Sequence, residues 1–338
     1  MGMMIDDLLA AHAVTHYGIT PLQEPLSFEF YRQWIDRGMH GEMGYLKEHL
    51  PLKAEPQSLH GLQLRSALVI AQDYLPHPRP SKTPLELRTA LYAQGEDYHF
   101  WFKEKLQEIA ATLKQQYPFE EFLCFTDSGP ILERDLAQQA GLGWVGKNTC
   151  TIHPKKGSLF LLGEILTTLN LNSEIQSNPL PDFCGTCTRC IEICPTQALT
   201  KPKELDARLC ISYWTIESRD VPPAELRQNF QDWFFGCDLC QTVCPWNEKI
   251  FQFTKNVKPQ NHSNLVADLH FFLTASGKQI EKRVIGTPLK RAGSFGLRRN
   301  ALIVIANNKI FELKADVEKW KNDLKLGELA LWTLEKIN

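Results

Sequence analysis

Cys184-Gly-Thr-Cys187-Thr-Arg-Cys190-Ile-Glu-Ile-Cys194-Pro195 is a complete bacterial ferredoxin run, C-x2-C-x2-C-x3-C-P. Its spacing has a geometric reason. A tight turn lets three successive thiolates wrap three irons of one cube, and the fourth, thrown forward before a proline, ligates the other cube. A shorter run follows at Cys237-Asp-Leu-Cys240-Gln-Thr-Val-Cys244-Pro245, with Phe234 where its first cysteine would stand. Cys210 is the spare thiol of the region and the natural substitute. The spacing therefore predicts one [4Fe-4S] cluster on Cys184, Cys187, Cys190 and Cys244, and a second on Cys194, Cys210, Cys237 and Cys240. Paired C-x2-C motifs also hold zinc, but zinc does not account for two C-x3-C-P tails with crossed usage. Radical S-adenosylmethionine chemistry needs C-x3-C-x2-C, and Gln197 and Asn247 occupy the positions of the third cysteine. Cys124 and Cys150 fall outside the region and read as small packed hydrophobes.

The surrounding chain is that of an ordinary globular protein. It has 338 residues, 43% hydrophobic and 22% charged, with a net charge of −2, so any nucleic-acid contact must come from a local patch. Ten cysteines clustered in a chain of this length do not make a secreted disulfide scaffold. The amino terminus, acidic at Asp6 and Asp7, lacks the basic region of a signal peptide. No apolar run approaches the roughly 20 residues of a membrane span. A reduced, cytoplasmic protein that engages no membrane is expected, and a monomer.

Residues 1–60 read as helical, broken at Pro21, Pro25 and Pro51. Ser66 to Gln72 suits a buried strand. Phe102, Leu106, Ile109 and Leu113 recur at helical spacing and stop before Pro118. Phe122 to Thr126 reads as a strand, and Pro130 as the first turn of a helix running to about Gly141. Strand patterns at Thr149 to His153 and Ser158 to Leu169 flank the basic turn Pro154-Lys155-Lys156-Gly157. The fold expected is α+β: a layered domain over 1–175, a ferredoxin-like double-cluster domain over 176–250, and a short helical-repeat-like region over 251–338. Asn172 to Pro181 reads as the linker, and Leu265 to Phe272 and Leu297 to Ala306 as helices.

Clusters supply single electrons and no group chemistry, so the layered domain must hold what they feed. Its densest stretch is Asp127-Ser-Gly-Pro-Ile-Leu-Glu-Arg134, continuing through Gly141-Leu-Gly-Trp-Val-Gly-Lys-Asn148. Gly141-x-Gly143-x-x-Gly146 matches the dinucleotide fingerprint formally, but it follows a helix and leads into a strand, which is the wrong context. The glycines better serve close backbone approach or a tight turn. Asp127 alone could equally cap the helix that follows it.

Together with Asp97-Tyr98-His99, Cys210-Ile-Ser-Tyr213, the two cysteine runs and Gly296-Leu-Arg-Arg-Asn300, these stretches resemble the epoxyqueuosine reductase family over nearly the whole chain. The resemblance implies reduction of epoxyqueuosine to queuosine at the wobble position of a tRNA anticodon stem-loop. The epoxide oxygen leaves as water, at a cost of two electrons and two protons. It implies cobalamin beside the two clusters, fed by an external one-electron donor such as a flavodoxin or ferredoxin. The family's proton donor falls on Asp127, whose burial under a macrocycle should raise its pKa. Cobalamin contacts are expected from Arg134, Lys147, Asn148, Thr151, Ser158 and Leu162, with Ser212 and Asp238 from the cluster domain. Lys53 stands where the family carries a more basic segment and is a further candidate. The Asp-x-His-x-x-Gly motif that puts a histidine on cobalt is absent, because Phe102 follows His99 where glycine would be. Separately, Lys282, Arg283, Lys290, Arg291, Arg298 and Arg299 form a basic run, and Lys290, Arg291, Arg298 and Arg299 are the expected tRNA contacts. The alternatives are a reductive dehalogenase, which resembles this architecture, and a plain ferredoxin-like carrier.

Overall fold

Alternation along Ser66–Asp73 sets the frame of the layered domain. In the computed structural model, which describes residues 5–74, 85–175, 178–253 and 261–338, this segment is β2 of a four-stranded antiparallel sheet. β1 (Tyr17–Pro21), β3 (Phe122–Phe125) and β4 (Phe160–Thr167) complete it in the order β1-β2-β4-β3. Successive side chains point to opposite faces. Leu68 and Ile70 meet α1 (Ile5–Ala11) and the Phe102, Leu106, Ile109 and Leu113 stripe of α3 (Tyr98–Gln116), with α2 (Phe28–Asp36) outside this core. Ala67 and Val69 face the other way, onto Ile131 and onto Leu136, Ala137 and Ala140 in and just after α4 (Glu133–Gln139). Each large side chain so enclosed contributes about 1.5–3 kcal/mol. The α+β layering expected from sequence is what forms.

Two local expectations differ. Pro21 ends a strand rather than breaking a helix; β1 is the sheet edge, where a missing N–H costs no ladder bond. Pro130 lies before α4, not in its first turn, because Ile131 is drawn into the core and the helix starts only at Glu133. The helical start of the chain is kept from Ile5, and residues 176–177 of the expected linker fall outside the described ones.

In the cysteine region two one-turn helices, Arg189–Glu192 and Leu239–Thr242, pack together. The short strand Trp233–Phe235 pairs in parallel with Arg88–Thr89. Phe234 is fully buried with its ring 4.9 Å from Phe272, and its carbonyl accepts from Asn300 Nδ2 at 2.8 Å. The position where a ferredoxin has its cysteine is therefore part of an apolar core. That core continues into α5 (His262–Thr274), α6 (Gly277–Val284), α7 (Gly293–Asn307) and α8 (Gly327–Lys336) through Leu269, Phe272, Leu302 and Leu329. Ser276 and Gln279 form a reciprocal capping box at the start of α6. Among the described residues no helix is long and apolar enough to cross a membrane.

Candidate active site and cluster centre

β3 delivers Asp127 to the edge of the sheet. Thr126 is buried and its Oγ1 donates to the Leu162 carbonyl of β4 at 2.8 Å, which fixes the strand end. Asp127 then takes φ 59, a left-handed conformation that costs a non-glycine residue of order 1–3 kcal/mol. Two residues on, a Cβ at Gly129 would stand 2.8 Å from the Phe125 ring, so the return of the loop needs glycine. Asp127 does not cap α4, which begins at an N-cap Leu132 without side-chain bonding.

The Asp127 carboxylate instead turns toward α3. Its Oδ2 accepts from Tyr98 Oη at 2.7 Å and lies 3.1 Å from His99 Nε2. His99 Nδ1 is in turn 2.7 Å from Asp97 Oδ1, and Asp97 also caps α3 by accepting from the His99 amide. The helix start and the imidazole are thus oriented by one carboxylate. Burial alone would lower the His99 pKa, but its bonds to Asp127 and Asp97 overcome this and raise it to about 9. For Asp127, burial pushes upward, yet the bonds from His99 and Tyr98 and the charges of His99 and Arg291 bring it below the ordinary carboxylate value. The expected upward shift of Asp127 is therefore overturned: the imidazole beside it carries the proton. Side-chain exposure of 59% leaves the carboxylate open to an incoming group.

Arg291 reaches this opening from the C-terminal region. It donates to Glu217 from both Nε and Nη2, stands 5.3 Å from the Tyr45 ring, and adds to the positive field on Asp127. The Tyr92 hydroxyl feels both Asp127 and Asp238. A separate groove of about 610 Å³ between Trp214, Pro222, Phe295 and Lys325 contains none of these groups.

The cysteines act on one another in neighbouring groups. Cys190 feels Cys184 and Cys244, and Cys244 feels Cys184 and Cys187. Cys237 feels Cys210 and Cys194, and Cys240 feels Cys210 and Cys237. Burial and mutual repulsion push the Cys190 thiol up to about 11 and that of Cys237 to about 12, so thiolates form there only against a cation. Donors are already aimed at the sulfurs: Trp144 Nε1 at Cys184 Sγ (3.4 Å) and the Ala198 amide at Cys194 Sγ (3.3 Å). Among the described residues no three metal-binding side chains converge as closely as a single ion requires. Cys124 packs in the α3 core as expected, but Cys150 does not, since its thiol bonds to that of Cys240. Nothing in the spacing placed Cys150 there; only the hairpin of Trp144–Val145 with Thr151–Ile152 brings it round.

The expected cofactor contacts divide. Lys147 Nζ donates to the Gly185 and Cys187 carbonyls at 2.7 and 2.9 Å, clamping the first cysteine loop. Asn148 donates to the Cys240 carbonyl, and Ser158 bonds Gln241 and Asn247. Asp238 is buried, accepts from the Leu91 amide at 2.7 Å, and has a pKa raised by burial to about 6. Lys53 is buried too, its Nζ on the Ile131 carbonyl at 3.3 Å and its pKa lowered by burial. These five brace loop against loop. Arg134 is exposed and donates to the Thr149 carbonyl, Thr151 Oγ1 is buried without a partner, and Leu162 and Ser212 are half-exposed. The glycine fingerprint is explained as well: a Cβ at Gly143 would lie 2.4 Å from the Ile152 carbonyl, so the glycine serves the hairpin.

Of the expected tRNA contacts, Lys290 and Arg291 are exposed and Arg298 is half-buried, donating to the Ala275 carbonyl over the Trp320 ring. Arg299 cannot touch a phosphate. It is fully buried, donates to the Trp214, Ser218 and Asp220 carbonyls, and burial lowers its pKa to about 9. The sequence expectation for Arg299 is thereby overturned. Glu164 carries no signal in the sequence, and Glu133 and Tyr98 stand in the quoted motifs without any sign that they face Asp127.

The 4Fe-4S double cluster binding domain family matches residues 183–247, and the family described as epoxyqueuosine reductase QueG, DUF1730, matches residues 54–128. The epoxyqueuosine reductase of Pseudomonas aeruginosa is 37% identical over 280 residues, 82% of this chain and 77% of that protein. That of Synechocystis is 36% identical over 84% of this chain and 98% of its own. Among solved structures, an epoxyqueuosine reductase with an epoxyqueuosine-modified tRNA-Tyr stem loop superposes with a TM-score of 0.80 at 26% identity, covering 98% of this chain and 89% of that one. A Bacillus subtilis epoxyqueuosine reductase, with the loop of its catalytic aspartate swung out of the active site, matches equally at TM-score 0.80, 26% identity and 98% and 90% coverage.

Proposed function

The chain belongs to the epoxyqueuosine reductase family, and on that premise we propose that Asp127, backed by His99 and Tyr98, is the proton donor of its reaction. The protein is an oxidoreductase that reduces epoxyqueuosine to queuosine in tRNA, using cobalamin and two [4Fe-4S] clusters. The residues present fit both groups: eight thiols within one region for the clusters, and for a larger ligand the open Asp127 carboxylate with the buried, unpartnered hydroxyl of Thr151. When bound, the clusters supply single electrons and the corrinoid the carbon–oxygen chemistry.

The observation that carries the role of Asp127 is its bonding to His99 Nε2 and Tyr98 Oη at 3.1 and 2.7 Å. Deoxygenation of the epoxide needs two protons and releases water. The ionised carboxylate can take up the proton of the His99 imidazolium and hand it to the leaving oxygen, while the bond from Tyr98 holds it in place; His99, reprotonated from solvent, supplies the second proton the same way. Asp97 holds the imidazole in register for this. Lys147, Asn148, Ser158 and Asp238 lock the layered domain onto the cysteine loops, setting the distance electrons cross. Lys290 and Arg291, on the rim beside Tyr45, meet the phosphates of the anticodon stem-loop. The blocks 1–175, 176–250 and 251–338 serve as catalytic, electron-delivering and RNA-facing units. A flavodoxin or ferredoxin supplies the electrons to a monomer in the cytoplasm, where the thiols stay reduced. The test is mass spectrometry of tRNA from cells lacking the protein: epoxyqueuosine accumulates, wild-type complementation restores queuosine, and Asp127→Asn does not. Queuosine restored by Asp127→Asn would sink the assignment.

A further inference from the structure

Beneath the Asp127 loop lie two acids that the proton route above does not use. Glu164 stands on β4 opposite Phe125 of β3 and has no exposed surface. Glu133 is the first residue of α4. Their carboxyl groups meet, and neither oxygen of Glu164, nor Oε1 of Glu133, receives an N–H or O–H from any described residue. The other charges facing the pair are few. Lys53 is 5% exposed and gives its ammonium to the Ile131 carbonyl, and Arg134 gives its guanidinium to the Thr149 carbonyl. The backbone N–H of Asp127 faces the Glu133 carboxyl, the Asp127 carboxylate acts on both acids, and the Tyr98 hydroxyl lies in the field of Glu133.

Two enclosed carboxyl groups in contact resist ionising together, because their repulsion is little screened and the Asp127 N–H with the Lys53 and Arg134 charges offsets only part of it. They keep one proton between them. Consistent with this, burial first and then the neighbouring carboxylate raise Glu133 to about 8 and hold Glu164 well above its ordinary value. We propose that Glu133 and Glu164 share one proton as a buried acid pair that holds the Asp127 loop in its reactive position, acting as positioning residues for the proton donor. With the proton in place, Glu164 donates to Glu133, and Glu133 accepts the Asp127 amide, pinning the left-handed turn. With the proton lost, two charges face Asp127 from below, and the turn loses its anchor. On raising the pH, turnover therefore falls first with this pair, at about 8, and only then with the His99 imidazolium, at about 9.

This inference rests on the reading of Asp127 as proton donor only for its effect on turnover. The test has two arms, run on cofactor-loaded protein. Infrared spectra at neutral pH should show a protonated carboxyl band that titrates out near pH 8, survives in Asp127→Asn and disappears in Glu164→Gln. In kinetics, Glu164→Gln keeps the bond to Glu133 but cannot titrate, so neutral kcat is retained and its alkaline limb moves upward. Glu164→Leu removes the anchor and lowers kcat roughly tenfold or more with unchanged KM for the tRNA stem-loop. No protonated carboxyl at neutral pH, or an alkaline limb unmoved by Glu164→Gln, overturns the pair. If Asp127 is not the donor, the infrared arm still stands and Asp127→Asn remains active, so the two failures are told apart.

Discussion

Asp127 is held in a strained turn by the bonds that also decide who carries the proton. Replacing it with asparagine keeps the shape but removes the carboxylate, and single-turnover rates should fall about 10²–10⁴-fold with tRNA affinity unchanged. An undiminished rate with full cofactor loading would move the donor elsewhere. His99 makes a second, independent prediction. Its folded pKa is raised from 6.5 to about 9, so its contribution to stability is fully present below pH 6.5 and is lost as pH climbs through 9. The Tm difference between wild type and His99→Gln should therefore be largest at pH 6.5 and below and shrink toward pH 9. A difference constant across that window would mean the imidazole is not paired with Asp127 and Asp97. At the residue level the sequence made Asp127 visible but not its chemistry. The direction of its pKa depends on Tyr98 and His99, which lie 29 and 28 positions away and meet it only through the packing of α3 on β3.

At the scale of elements, periodicity and cysteine spacing were sufficient wherever the chain follows one regular rule. β2, α3 and β4 emerged because apolar residues repeat at two or at three to four, and the double-cluster domain emerged because cube geometry dictates the cysteine spacing. Pro21 misled because a proline reads as a helix breaker, while a sheet edge tolerates it equally well. Phe234 shows why the ferredoxin pattern is broken: the short strand it occupies seals the core shared with α5 and α7, and Cys210 is the thiol that stands near Cys237. Phe234→Ala should cost about 3–5 kcal/mol in denaturant unfolding. It should do so without changing the cluster count, since no ligand is touched. Lys147 makes the complementary case. Its two bonds to the Gly185 and Cys187 carbonyls predict that Lys147→Ala loses iron from the first cluster faster under chelation while corrinoid affinity is retained. Loss of corrinoid with intact clusters would instead make Lys147 a cofactor ligand, as the family resemblance implies.

At the scale of the whole molecule, the site is assembled from segments far apart in the chain. Tyr45 and Asp127 come from the layered domain, Glu217 from the segment after Cys210, and Arg291 from the helical region, and they converge on one rim. A net charge of −2 leaves such a rim as the natural place for RNA to be drawn. The basic run of the sequence contains two kinds of arginine that composition cannot separate. Arg299 is an internal strut, with its guanidinium donating to three carbonyls, and Arg291 is an exposed charge beside Asp127. Charge reversal should separate them. Lys290→Glu with Arg291→Glu should leave the fold intact and weaken stem-loop binding. The slope of log affinity against log salt should fall by about one for each phosphate these side chains no longer neutralise. Arg299→Glu should instead abolish soluble expression or cooperative unfolding, because a buried carboxylate would face the Trp214, Ser218 and Asp220 carbonyls without a counter-charge. Binding titrations at three salt concentrations decide the first, and thermal unfolding the second. If the double reversal at Lys290 and Arg291 leaves both affinity and salt slope unchanged, the stem-loop does not cross this rim, and Arg291 acts only through its field on Asp127.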